Sequence, residues 1–303
     1  MKNDLTERRP EYRKLQWHGY FGQAARTAWI EVWWDGMLAH VSTATAPNAR
    51  ALSPKLEVCV ETLDNAQIAD RGGANRVELC GELAGGGVTP SLGLLEEVVS
   101  SITIPVHCMI RPRGGDFLYN AGEFRAMERD IELAKNAGAA GVVLGILTAR
   151  GEVDVAATRH LIAAARPMRV TFHRAFDVTR DLDAALEAVI SAGTDILLTS
   201  GGAERLSEGI DAVARLVERA GDRIEIMGGS GVRLQNAVAL YEASGVAAIH
   251  SSMRRPLSIE ASTAIHVLPD ALPPYEVREE DVRTLTAALK ASAEKTAANR
   301  HLS

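Results

Sequence analysis

The sequence predicts a closed (β/α)8 barrel, an α/β fold in which eight parallel strands each lead into a helix. Three observations predict it. Between Lys55 and Ser251, eight short aliphatic runs alternate with segments of helical character. Glycines recur where the helices should stop. The runs also carry polar residues at alternate positions, as in "LEVCVE" and "RVELC". An open doubly wound sheet, the runner-up, would show strands apolar on both faces.

The elements follow in order. "KLEVCV" (55–60) reads as a strand and Leu63–Arg71 as a helix ending at Gly72-Gly73. "RVELC" (76–80) is the second strand, followed by a glycine loop and a helix from about Ser91 to Ser100. "IPVHCMI" (104–110) precedes a long helix from Gly122 to Ala137, stopped by Gly138. "GVVLG" (141–145) leads to a helix at Val153–Ala165, and "RVTF" (169–172) to one at Leu182–Ala192, stopped by Gly193. "DILLTS" (195–200) is paired with Glu204–Ala220, and "IEIMG" (224–228) with Leu234–Ser244. "AAIHS" (247–251) is the eighth strand. The barrel domain is therefore residues 55–255. Residues 256–303 form a C-terminal segment, with a proline-containing stretch and a helix near Val277–Glu294. Residues 1–54 lie outside the rhythm. "TAWIEVWWDGMLAH" (27–40) is apolar enough to pack somewhere, "VSTATAPNARALSP" (41–54) reads as a linker, and the extension is expected to add little to the core.

Composition excludes several classes of function. The chain has 303 residues, 47% hydrophobic and 24% charged, with a net charge of −6 and 5% aromatics. That is a globular composition without the basic surface or stacking platforms of a nucleic-acid binder. Three cysteines do not make a disulfide framework, and a reducing cytoplasm is the natural expectation. No run approaches the roughly 20 apolar residues of a membrane span, and the N-terminus lacks the apolar core of a secretory leader.

Period-two alternation assigns faces. Glu57, Cys59 and Glu61 share one face of the first strand, and Arg76, Glu78 and Cys80 one face of the second. His107, Met109 and Arg111 share a face, as do Thr171 and His173, Glu225 and Met227, and Ala248 and His250. The aliphatic set should face the helices, so the polar set points into the barrel. A buried carboxylate needs a partner, which for Glu57, Glu78 and Glu225 means Arg, His, water or a ligand. Glu78 with Arg111 is one such pairing.

The C-terminal strand ends, where active sites of such barrels sit, are rich in chemistry. They carry "RPRGGDF" (111–117), "HRAFD" (173–177), "TSGG" (199–202), "GGSG" (228–231) and "HSS" (250–252). Glycine-rich loops after the last strands can cradle an anion with backbone N–H groups. Arg111, Arg113 and His173 are expected to line an anionic small-molecule site, with Thr199, Gly201, Gly229, Gly231 and His250 as further contacts. Arg174 faces the other way by parity, and Asp177 is expected to cap a helix or pair with an arginine. If the site is catalytic, His107, His173 and Glu78 are the acid–base candidates.

Cys108 faces the helices and reads as a small buried hydrophobe. Cys59 and Cys80 end adjacent strands on the same face, with Met109 nearby. Paired soft sulfurs select Cu(I) over hard cations, and neighbouring arginines are expected to favour the thiolates.

"LEVCVETLDNA", "GGANRVELC", "GGVTPSLGLL", "IPVHCMIRPRGGDFLY", "VTFHRAFD", "LTSGG", "IEIMGGSGV" and "HSS" resemble the CutC family of copper homeostasis proteins. The likeness runs from about Leu56 to Ser252, and "IRPRGGDF" with "TFHRAFD" is its specific part. The resemblance implies a cytoplasmic barrel, often a homodimer, linked to copper handling. It places Cys59 and Cys80 at positions proposed as Cu(I) ligands in some members. Residues 1–54 and the stretch "MRRPLSIEAST" depart from the family pattern. Two readings stand side by side: a copper-binding protein using Cys59 and Cys80, and a lyase- or isomerase-type enzyme acting on an anionic small molecule, phosphorylated or not.

Overall fold

Eight strands close into a barrel in chain order: β1 (Lys55–Val60), β2 (Arg76–Leu79), β3 (Val106–Met109), β4 (Gly141–Leu144), β5 (Arg169–Phe172), β6 (Ile196–Thr199), β7 (Glu225–Gly228) and β8 (Ala248–Ser251). Every neighbouring pair is parallel, and β8 pairs back onto β1 through Glu57 opposite His250. The protein is seen in a computed structural model that describes residues 54–256 and 275–300. The expectations for the N-terminal extension and its linker fall outside the described residues.

Seven helices connect the strands: α1 (Leu63–Arg71), α2 (Leu92–Ser101), α3 (Ala121–Asn136), α4 (Val155–Ala165), α5 (Leu182–Ala192), α6 (Ile210–Ala220) and α7 (Ala237–Ser244). Local chemistry sets their ends. Asn120 and Glu123 form a reciprocal capping box on α3, Asp181 caps α5, and Gly193 ends α5 at a left-handed φ of 92°.

Alternation along the strands sorts the two sides as the sequence implies. Leu56, Val58, Val60, Val77 and Leu79 join Cys108 in the layer between barrel and helices. Inside the barrel, Cys59, Cys80, Met109 and Val143 form one cluster and Ile196, Leu198, Met227 and Ala248 another.

Two elements depart furthest from their expected bounds. The terminal helix α8 runs from Glu279 to Arg300 and occupies the eighth helical position, between α7 and α1. Arg71 Nε reaches Glu279 at 2.9 Å, and Ser292 Oγ donates to Glu242 at 2.6 Å. Val282 packs on Gly72 so closely that a Cβ at residue 72 would lie 2.5 Å from the valine Cβ. The second difference is α6, which starts at Ile210 rather than near Glu204. Residues 200–209 fold back on themselves instead. Arg174 draws on the Ala203 and Glu204 carbonyls, and a Cβ at Gly209 would sit 2.0 Å from Ser200 O.

Candidate functional site at the barrel mouth

The floor of the barrel is an ion network. Register places Glu57 opposite both Arg76 and His250. Arg76 Nε pairs with Glu57, and His250 Nδ1 lies 2.7 Å from the other oxygen of the same carboxylate. Glu225 is held by Lys55 at 2.7 Å and by Arg76 and Arg169 at 3.3 Å each. Burial pushes the Glu57 carboxyl up, but Arg76 and then His250 hold it well below the usual carboxylate range. His250 responds in the opposite sense. Burial works against its charge, and Glu78, Cys59 and Glu57 together keep it well above an ordinary imidazole.

His107 lies in this buried layer, paired in register with Glu78, and not on the cavity above. Its Nδ1 is 3.5 Å from Thr171 Oγ1, and its ring fills the space a side chain at Gly141 would need. Burial lowers it to about 4. His107 therefore does not line the cavity.

The thiols lie farther along the same strands, Cys59 two residues beyond Glu57 and Cys80 four beyond Arg76. Cys59 is level with Glu78 in the register, and Cys80 lies one residue beyond the end of β2. The two side chains approach diagonally, with their sulfurs 3.8 Å apart. Cys59 donates to Glu78 at 2.8 Å, and Cys80 reaches the same oxygen at 3.5 Å. The sulfurs thus neighbour a carboxylate rather than the expected arginines. Its consequence is chemical. The hydrogen bond with Cys80, burial and the Glu78 charge push the Cys59 thiol well up. The bond from Cys59 pulls Cys80 down, but burial and Glu78 carry it up to about 12. Burial, the leading cause, also raises Glu78, and the Glu57 charge adds to the rise. The expected Glu78–Arg111 pair does not form. Arg111 lies four residues beyond His107, the register partner of Glu78, which is roughly 13 Å along a strand direction.

Above the thiols opens a cavity of about 490 Å³, lined by Cys59, Glu78 and Met109 together with Ser230, Gly231 and His250. Arg111 and His173 both line it and both flank Phe117. The Arg111 guanidinium carbon is 5.0 Å from the Phe117 ring centre, and the His173 ring centre is also 5.0 Å away. Arg111 donates to the carbonyls of Gly87 at 3.0 Å and Gly115 at 2.8 Å. His173 Nδ1 accepts from the Ala175 amide at 3.1 Å, so the neutral ring carries its proton on Nε2. Burial first, then Arg111, lowers His173 to about 3. With that tautomer the neutral ring offers Nε2–H as a hydrogen-bond donor.

Other expected contacts divide. Gly231 and His250 line the cavity, whereas Thr199, Gly201 and Gly229 do not. Thr199 Oγ1 donates to Asp177 at 2.5 Å and accepts from the Gly201 amide at 2.9 Å, so this pair shapes a supporting loop. Arg113 is also displaced from the cavity. Its guanidinium binds Glu123 at 2.6 Å and Asp116 at 3.0 Å, on the outer side of the loop. Arg174, assigned by parity to the other face, does line the cavity. The chain leaves β5 at Phe172 and winds into a tight turn over Arg174–Val178, which ends the period-two pattern. Asp177 pairs with Arg174 at 2.8 Å and accepts from the Ser200 and Gly202 amides. Arg233, Arg254 and Ser230 also line the mouth and had no signal in the alternation, being on loops.

A sequence model of the CutC family matches residues 54–255. A CutC family protein of Chromobacterium violaceum is 52% identical over 199 residues, covering 66% of this chain and 81% of that protein. The human copper homeostasis protein cutC homolog is 47% identical over 199 residues, 66% of this chain and 73% of its own length. A crystal structure of CutC from Streptococcus agalactiae, 37% identical, matches with a TM-score of 0.63 over 66% of this chain and 98% of that one. A Rubisco of Pyrococcus horikoshii, at 14% identity and a TM-score of 0.54 over 80% of this chain and 59% of that one, shares the fold alone.

Proposed function

This chain belongs to the CutC family, and from that premise we propose that it handles copper by binding Cu(I) between Cys59 and Cys80. The observation that carries the reading is the 3.8 Å approach of the two sulfurs, with the Met109 thioether in the same cluster. Soft donors of this kind suit Cu(I). Cys59, Glu78 and His250 also bring one donor atom each within 4.8 Å of one another, a mixed set that suits a harder ion less decisively. Cys59 lines the cavity and provides the way in, while Cys80 is fully buried behind it. Both thiols must lose their protons to become ligands, and the Glu78 carboxylate they already contact is placed to receive one.

All three cysteines are free and buried, which fits a reducing cytoplasm. A homodimer is part of the same proposal, resting on the family resemblance. Competition titration against a Cu(I) chelator under reducing conditions tests it. The variant Cys59→Ser with Cys80→Ser should lose Cu(I) binding, while Cys108→Ser, whose thiol is in the helix-side layer, should keep it. A parallel titration with Zn²⁺ should give weaker binding. Parent-like Cu(I) affinity in the double variant would overturn the sulfur site.

A further inference from the structure

The cavity wall also holds buried polar atoms that have no partner among the described residues. Arg111 is 6% exposed and His173 5%. Among the described residues, Arg111 Nε and His173 Nε2 are both enclosed and make no hydrogen bond. Both atoms are N–H donors, because Arg111 is a cation and the Ala175 amide fixes the His173 proton on Nε2. Leaving two buried donors unmade costs stability that nothing in the barrel returns, so a ligand acceptor is the natural complement.

Charge at the mouth points the same way. Arg174 is neutralised by Asp177, and His250 by Glu57. Arg111, Arg233 and Arg254 line the cavity, and their partners among the described residues are the Gly87, Gly115 and Val232 carbonyls and the Phe117 and Tyr275 rings rather than carboxylates. The loop after β7, which also lines the cavity, carries three successive amides. Those of Ser230, Gly231 and Val232 have no acceptor among the described residues, and Ser230 is held at a left-handed φ of 77°. A non-glycine residue in that conformation costs energy that functional loops commonly retain.

We propose that this cavity binds a small phosphorylated molecule whose other end offers a carbonyl or carboxylate oxygen. The sp² oxygen sits between Arg111 Nε–H and His173 Nε2–H, beside Phe117. The phosphate lies on the Ser230–Val232 amides with Arg233 and Arg254. The cavity volume of about 490 Å³ is within the range of small-molecule sites. A neutral imidazole donor beside a guanidinium is also the arrangement that stabilises negative charge developing on a carbonyl oxygen. The site stands on observations separate from the thiol pair, so it holds or fails independently of the copper reading.

The test uses the full-length, copper-free protein and three probes: phosphoglycolate, glycerol 3-phosphate and inorganic phosphate. Calorimetric titration should show phosphoglycolate binding at least tenfold more tightly than glycerol 3-phosphate, which lacks the sp² oxygen. His173→Asn should erase that preference and leave the affinity for glycerol 3-phosphate within about threefold. Arg233→Gln with Arg254→Gln, on the partly exposed rim, should weaken all three probes at least tenfold. Arg111 is left intact because its terminal nitrogens brace two loops. Long-range ¹H–¹⁵N spectra supply the direct readout. His173 should show the Nε2–H tautomer, and its proton should move on phosphoglycolate addition. Equal affinity for phosphoglycolate and glycerol 3-phosphate, a preference that survives His173→Asn, an Nδ1–H tautomer, or no binding of any probe would each overturn the proposal.

Discussion

Replacing Arg76 with methionine would remove the central cation of the barrel floor and leave the rest of the wall in place. Arg76 is 4% exposed and Glu57 is fully buried, so no water stands ready to replace the guanidinium. Breaking a buried ion pair by removing one partner costs about 3–5 kcal/mol. The structure argues for the lower end. Glu57 keeps His250 at 2.7 Å, and Glu225 keeps Lys55 and Arg169 while retaining some solvent contact. A loss of about 3 kcal/mol corresponds to a fall in Tm of about 6–12 °C for a domain of this size. Urea and thermal unfolding of Arg76→Met measure it. The second arm is Arg76→Met combined with Glu57→Gln, which removes the carboxylate charge while keeping an acceptor for His250 Nδ1 and should recover most of the loss. A single variant within about 0.5 kcal/mol of the parent, or a double variant less stable than the single, would refute the view that the pair is held by mutual need.

Three further outcomes are expected. Folded His173 lies at about 3 against 6.5 for an ordinary imidazole, so the unfolded chain binds the extra proton between those values. Its contribution to stability is therefore complete above pH 6.5 and is lost as pH falls, by at most about 1.4 kcal/mol per unit; unfolding midpoints of His173→Phe at pH 7, 6, 5 and 4 should trace a flatter curve than the parent. Gly72→Ala should destabilise by about 1–3 kcal/mol through its clash with Val282, and Val282→Ala should relieve the added strain in a double-mutant cycle. Additive losses in that cycle would show that α8 does not close the helical ring at this point. For copper, the apparent Cu(I) affinity should rise with pH, because both thiols are pushed above the ordinary range and must release protons to bind. Chelator competition at pH 6, 7 and 8 measures this, and a flat profile would mean that the thiols are already ionised.

Alternation could be read from the sequence wherever a strand was in force. Glu57, Cys59, Arg76, Glu78, His107 and His250 all turn inward as period two requires, because a parallel ladder fixes each Cβ to one side. Parity gives side but not height. Glu78 and Arg111 share a face and still miss each other, since the register sets Glu78 against His107. Height comes only from the stagger between strands, and no pattern within one strand encodes it. Beyond the last ladder bond even the side is lost. Arg113 stands four residues past the end of β3 at Met109 and turns outward to Glu123, the residue that completes the capping box of α3. Arg174 stands two residues past the end of β5 at Phe172 and turns inward through a tight turn. A barrel places its binding groups just beyond its strand ends, so strand periodicity expires where the chemistry begins. Cap and turn chemistry continues to be informative there. "NAGE" at 120–123 ties Glu123 to the first turn of α3, and the Arg174–Asp177 spacing of three already fits the pair that the structure contains.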